Sequence, residues 1–73
     1  MPPRLSVEEA RLLHIYAATN MRVGATAQVA HIHRNTVYKK LVQIERKTGY
    51  NPQNFFELGK IFSEVGVEDD DEA

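Results

Sequence analysis

Apolar residues recur at helical spacing in four segments of this 73-residue chain, and short polar stretches separate the segments. Ser6 precedes the first segment and Glu9 follows three residues later, which is the spacing of a capping box at a helix N-terminus. The apolar stripe of this segment consists of Leu12, Leu13, Tyr16 and Ala17. These features predict a first helix from about Val7 to Asn20, with residues 1–4 frayed ahead of it.

Small residues dominate the second segment, which predicts a shorter helix over about residues 24–30. Ala27, Ile32 and Val37 then follow one another at intervals of five. This order supplies a small residue where two helices meet, an apolar residue in the turn and a core residue in the next helix, as in a helix-turn-helix. The alanines are also good helix formers in any small bundle, so a bundle without that motif is the alternative.

The third segment predicts a helix from about Arg34 to Thr48, because a typical C-cap glycine, Gly49, follows it. Its inward stripe is continuous and consists of Val37, Leu41, Ile44 and Thr48.

Asn51 and Pro52 predict the start of a fourth helix, which should end at Gly66. Its stripe consists of Phe55, Leu58, Ile61, Phe62 and Val65, with Phe56 and Lys60 off that stripe. The sequence therefore predicts an all-α fold, in which residues 1–66 form a small four-helix domain containing a helix-turn-helix.

The net charge of −1 conceals an uneven distribution of charge along the chain. Five of the ten acidic residues lie near the C-terminus, and residues 67–73 are expected to be a disordered acidic tail. Glu45 is the only acid between Arg22 and Lys47, whereas that segment has six basic residues. They are Arg22, Arg34, Lys39, Lys40, Arg46 and Lys47. This local excess of positive charge favours a polyanionic partner.

Residues 33–40 place side chains that bind nucleic acid at the start of the third helix. An arginine fork fits guanine and an asparagine amide fits adenine, which assigns base reading to Arg34 and Asn35, with His33 beside them. Hydroxyl and ammonium groups suit phosphate, which assigns backbone contacts to Arg22, Thr36, Tyr38, Lys39 and Lys40. The sequence thus predicts binding to double-stranded DNA, with the helix over about residues 34–48 in the major groove. The alternative is an ordinary solvated helix face.

The segment from Ala25 to Val37, together with the later Leu41, Ile44-Glu45 and Thr48-Gly49, resembles the C-terminal helix-turn-helix of PucR/CdaR-type transcriptional regulators. The similarity extends over roughly residues 23–50. The spacing of residues 34–41 also resembles the Fis family of nucleoid proteins.

This resemblance implies a small bacterial or phage transcriptional regulator with a four-helix, often dimeric domain. It implies that the DNA-facing start of the recognition helix consists of His33, Arg34, Asn35 and Thr36, with phosphate contacts from Lys39 and Lys40. The aromatic residue of the PucR pattern stands one position later than Tyr38, so its role does not carry over to Tyr38.

Catalytic or metal chemistry has little support in the sequence. The chain has no cysteine, and the usual ligand spacings are absent around its three histidines, so we expect no metal and no cofactor. His31 instead suits the turn, where a residue with positive φ is needed. A glycine-rich phosphate loop, an activated nucleophile and a carboxylate pair are all missing, which argues against an enzyme. Without a secretory signal or a membrane span, we expect a cytoplasmic protein.

The predicted fourth helix has many large apolar residues for the last helix of a small domain, so we consider which of its residues contact a partner. Phe56 and Lys60, which lie off the main stripe, form the predicted dimer interface, and two recognition helices would then reach successive major grooves. The alternative is a protein-interaction module that binds a partner through the fourth helix or the acidic tail without binding DNA. A further alternative is that the chain is part of a larger regulator.

Overall fold

The computed structural model describes residues 4–68, and these contain four helices and one pair of very short strands. The helices are α1 (Val7–Ala18), α2 (Val23–Ala30), α3 (Arg34–Thr48) and α4 (Phe55–Glu64). The strands are β1 (Arg4–Leu5) and β2 (Gly66–Val67). The predicted all-α, four-helix fold is confirmed. None of the helices within residues 4–68 is long and apolar enough to cross a membrane.

The core lies where α1, α2 and α3 meet and where α4 covers them. Its buried side chains are Leu5, Leu13, Tyr16, Ala27, Val37, Leu41, Ile44, Leu58 and Ile61. The three apolar positions predicted to lead the α3 stripe are completely buried. Thr48, the fourth member of that stripe, is half-buried, and its hydroxyl donates to the Ile44 carbonyl over 2.8 Å. The helical periodicity therefore identified the inward face of α3 correctly.

The start of α1 is held by the predicted capping box. Ser6 Oγ accepts the Glu9 N–H over 3.0 Å, while Glu9 Oε1 accepts the Ser6 N–H over 2.8 Å. The helix ends at Ala18, two residues before the predicted end, because Asn20 and Met21 have positive φ and leave the helical conformation. Thr19 caps this end and donates its hydroxyl to the Ile15 carbonyl over 2.9 Å.

The predicted start of α4 at Asn51 and Pro52 is wrong. Asn54 is the N-cap, and its side-chain oxygen accepts the N–H groups of Phe56 and Glu57. Asn51 instead closes a preceding turn, in which its backbone carbonyl accepts the Asn54 N–H over 3.0 Å. Both asparagines have the chemistry of an N-cap, and Pro52 is buried in the turn rather than placed in a helix.

Only part of the predicted α4 stripe reaches the core. Leu58 and Ile61 are buried as predicted, but Phe55 is 71% exposed and Phe62 is 41% exposed. The assignment of these two phenylalanines to the inward stripe is therefore wrong. Phe55 is the first residue of the helix.

The two short strands β1 and β2 pair with each other, a contact that the helical periodicity of the sequence did not predict. Arg4 lies opposite Gly66 and Leu5 opposite Val67 in a parallel pair, so the expectation that Arg4 is frayed is wrong. Gly66 lies in β2, and α4 ends earlier, at Glu64. Glu68 donates its N–H to the Leu5 carbonyl over 2.7 Å. Residues 1–3 and 69–73 lie outside the described residues, and with them most of the predicted frayed start and acidic tail.

An ion pair between α1 and α3 predicts how the protein responds to acid. Lys47 Nζ lies 2.8 Å from Glu9 Oε1, and Glu9 is only 6% exposed. Burial of the Glu9 carboxyl opposes ionisation, but the Lys47 ammonium and the Ser6 donors outweigh it and lower the pKa of Glu9 below its usual 4.5.

We expect Glu9 to stabilise the fold fully above about pH 4.5, the pKa of an unperturbed glutamate. This contribution should be lost as the pH falls through the lowered pKa of the folded state, because the unfolded chain binds the proton more tightly. Urea unfolding of the native protein and of Glu9→Gln between pH 7 and pH 3 checks it. Glutamine keeps the capping-box geometry, so the native protein should show the steeper loss of unfolding free energy towards low pH. Parallel pH dependences would contradict the assignment.

Candidate nucleic acid interface

The turn between α2 and α3 has the geometry that the sequence predicted. His31 adopts the left-handed conformation with φ of 59° and caps the C-terminus of α2. The Ile32 N–H donates to the Ala27 carbonyl over 3.0 Å, and Ile32 packs against the core beside Ala27 and Val37. The predicted order of small residue, apolar turn residue and core residue is therefore confirmed, and α2, turn and α3 form a helix-turn-helix.

His33 is the N-cap of α3, and its side chain forms a hydrogen bond within the first turn of that helix. Its Nδ1 accepts the N–H of Asn35 over 3.0 Å, which satisfies one of the free donors at the helix N-terminus. The neutral ring then has its proton on Nε2, so His33 presents a hydrogen-bond donor to a partner. The sequence alone had left open whether His33 donates or accepts.

The first side chains of α3 meet the start of α2 around one open depression. Arg22, His33 and Arg34 all line it, and its volume is about 670 Å³. Two residues that the sequence analysis did not single out, Gly24 and Gln28, also line it. The N-cap of α2 makes no side-chain hydrogen bond, so the N–H groups of the first turn are available for an anion. The sequence signal that could have identified Gly24 and Gln28 as part of this surface is their distance along the chain from the predicted turn.

The outer face of α3 continues this surface towards the C-terminus of the helix. A second open depression of about 360 Å³ is lined by Tyr38, Lys39, Val42, Gln43 and Arg46. Tyr38 and Val42 are partly exposed apolar groups between the charged ones. The predicted base-reading residues and the predicted backbone contacts Tyr38 and Lys39 are thus all exposed on the first turns and outer face of one helix.

The structure separates two predicted backbone contacts, Thr36 and Lys40, from the others. Both line a groove against α1 rather than the two depressions. Lys40 Nζ lies 3.1 Å from Glu8 Oε1, so part of its charge is neutralised within the fold. These two residues lie at the flank of α3, whereas Arg22, far away in sequence, joins the start of the helix.

The charge on the exposed surface is uncompensated. Within residues 4–68 only Lys40 and Lys47 form ion pairs with carboxylates. The remaining cations of the helix-turn-helix carry free positive charge, and they are Arg22, Arg34, Lys39 and Arg46. A surface with four free cations and few apolar groups is suited to a polyanion.

The family model of the PucR C-terminal helix-turn-helix domain matches residues 10–62, which is most of the chain. The chain belongs to this family. No curated protein and no solved structure matches it. The predicted resemblance to PucR-type regulators is confirmed, and it extends on both sides beyond the residues that carried it in the sequence.

The family match covers parts of α1 and α4 as well as the helix-turn-helix, so both are integral to the PucR-type domain. Membership in a helix-turn-helix family points to a DNA-binding transcription regulator, and such families are typically non-enzymatic. No group of three or more His, Asp or Glu side chains within residues 4–68 is arranged to hold a metal ion. His14 lies apart from the other histidines and packs against Phe62, with ring centroids 5.1 Å apart.

Phe56 and Lys60 lie on α4, and neither lines the two depressions of the helix-turn-helix. Phe56 is 78% exposed, and its ring meets that of Phe55 edge-on with centroids 5.5 Å apart. Lys60 Nζ lies 5.8 Å from the centroid of the Tyr50 ring. An apolar hollow of about 350 Å³ lies beside these rings over Ala17 and Gly59.

Proposed function

We propose that this PucR-type domain is a small transcriptional regulator that binds duplex DNA with α3 in the major groove. The observation that carries the proposal is the set of free cations and amide, imidazole and guanidinium donors exposed at the start of a helix-turn-helix recognition helix. The interface is open along α3, which suits a DNA groove better than a small substrate, and we assign it no catalytic activity. Its place of action would be the cytoplasm, where bacterial and phage DNA is transcribed.

The proposed contacts divide into base reading and backbone positioning. Arg34 and Asn35 would pair with guanine and adenine edges, and His33 would donate from Nε2 to an acceptor on a base or phosphate. Arg22, Tyr38 and Lys39 would bind the phosphates on the two sides of the groove. Thr36 and Lys40 would reach the backbone only at the flank, because they face α1.

The test is a fluorescence-anisotropy titration of a random-sequence duplex at two salt concentrations, with Arg34→Ala/Lys39→Ala alongside. Binding should weaken steeply with salt, since neutralised phosphates release counterions, and should collapse in the double variant. Arg4→Ala is the matched control, because it removes an exposed arginine on β1, away from the helix-turn-helix. Salt-insensitive binding, or no binding by the folded protein at low salt, would reject the proposal.

We further propose that the protein binds DNA as a homodimer that pairs through α4. Phe55 and Phe56 project from α4, and Gly59 and Ala17 leave a hollow beside them. Because the projecting rings and the hollow lie on the same patch, the rings of one copy can fill the hollow of another about a two-fold axis. The residues that line this hollow are distinct from those of both DNA-facing depressions.

Phe56→Glu should convert the dimer to a monomer, because two carboxylates would meet in a dry contact. Sedimentation velocity over a range of protein concentrations measures the change, and affinity for a palindromic site should fall with it. Val29→Glu is the control, since it places the same charge on a 55% exposed valine of α2 outside the proposed contact. A native protein that sediments as a monomer at all concentrations would contradict the dimer.

The exposed phenylalanines also support a second candidate function, a protein-interaction module without DNA affinity. A contiguous apolar patch on a small domain commonly marks a protein contact. The anisotropy titration separates the two functions, because only the DNA-binding protein shows salt-dependent affinity for the duplex.

A further inference from the structure

A groove of about 380 Å³ separates α1 from the helix-turn-helix. The α1 side contributes Glu8, Arg11, Leu12 and Ile15, which lie on one helical stripe. The opposite side comes from the end of α2, the turn and the flank of α3. The groove is thus a cleft between helices, a place where small-molecule sites commonly occur, and its volume lies within their range.

The floor of this groove is aliphatic and open to solvent. Its apolar lining consists of Leu12, Ile15, Val29, Ala30 and Ile32. Val29 is 55% exposed, although it lies on a helix whose other apolar residues reach the core or its edge. An extended aliphatic chain laid along the floor would remove these side chains from water.

The charges at the rim select a ligand with one negative charge. Glu8 and Lys40 neutralise each other across the groove, with 3.1 Å between Lys40 Nζ and Glu8 Oε1. Arg11 lies at the same rim and forms no ion pair with any residue from 4 to 68. Its planar guanidinium matches a carboxylate in a two-point contact. Because the Glu8–Lys40 pair is neutral, Arg11 leaves the rim with a single positive charge, which one carboxylate balances.

We propose that the groove is a binding site for an aliphatic monocarboxylate. The carboxylate pairs with Arg11, and the hydrocarbon chain lies over Leu12, Ile15 and Val29. Thr36, on the flank of α3, also lines the groove. The proposal does not depend on DNA binding, since none of the four residues Arg11, Leu12, Ile15 and Val29 is assigned to DNA.

The test is a titration of the ¹⁵N-labelled protein with octanoate, below the micelle concentration of octanoate, followed by amide chemical shifts. We expect saturable shifts centred on Leu12, Ile15, Val29 and Thr36. Arg11→Gln should weaken binding about tenfold, which corresponds to about 1.4 kcal/mol. 1-Octanol, which has the same chain without the charge, should bind the native protein as weakly as octanoate binds Arg11→Gln.

Two further variants keep the result interpretable. Val29→Glu places a carboxylate in the groove at an exposed position and should abolish saturable binding, while its amide spectrum stays that of a folded protein. Arg4→Gln removes an arginine elsewhere and should bind octanoate as the native protein does. The proposal is overturned if the shifts fail to saturate or if Arg11→Gln leaves them unchanged. It is also overturned if the shifts centre on Ala17 and Phe62, which line the hollow at α4 and not the groove.

Discussion

Arg34→Ala should lower affinity for the preferred duplex by about 1–3 kcal/mol, or roughly five- to 150-fold. The loss should be concentrated at one base pair, because we propose that Arg34, the first residue of α3, reads a single guanine edge with its guanidinium fork. Arg34 forms no ion pair within residues 4–68, so its removal breaks no ion pair among them. Selection of preferred sites from a random pool, followed by anisotropy with single-base variants, measures the effect.

Lys39→Ala is the matched control for this result. Lys39 is also exposed on α3, but a lysine that contacts phosphate carries no information about sequence. Its removal should weaken all duplexes similarly and reduce the salt dependence of binding by about one counterion. If Arg34→Ala behaves in the same uniform way, Arg34 binds phosphate and the assignment of base reading to it is wrong.

Leu41→Ala should destabilise the fold by about 2–5 kcal/mol, because it leaves a cavity at a completely buried position. A domain of this length has a total stability of roughly 4–11 kcal/mol, so much of the protein should unfold in mild denaturant. Urea unfolding followed by circular dichroism measures the loss, and the recognition helix should melt together with the core.

Val42→Ala tests the same helix one residue further along. Val42 is 41% exposed on the outer face, and its truncation should change stability by less than about 0.5 kcal/mol. Similar losses for the two variants would mean that α3 does not present the face described above to the core.

Local sequence signals predicted the parts of the site that depend on neighbouring residues. The capping box at Ser6 and Glu9 and the bounds of α3 rest on contacts within a few residues. The positive φ of His31 follows from a turn too short for an ordinary helix ending. These features can be predicted from the sequence because the interacting groups are close together along the chain.

The N-cap of α4 is a position where the local signal favoured the wrong residue. Asn51 and Asn54 both have side chains that cap helices, and Pro52 made the first of them the stronger prediction. Burial of Pro52 in the turn decided for Asn54. Phe55 and Phe56, the first two residues of the helix that Asn54 caps, lie on the surface that we propose for dimerisation.

The sequence by itself determined the helix-turn-helix, the inward face of α3 and the family, because periodicity and caps are local properties of the chain. Only the tertiary structure decided which polar side chains of α3 share a surface. It placed Arg22 beside His33 and Arg34, and it turned Thr36 and Lys40 towards α1. It also paired β1 with β2. These arrangements depend on how the helices rotate and pack against each other, and that information lies in contacts between residues far apart in the chain.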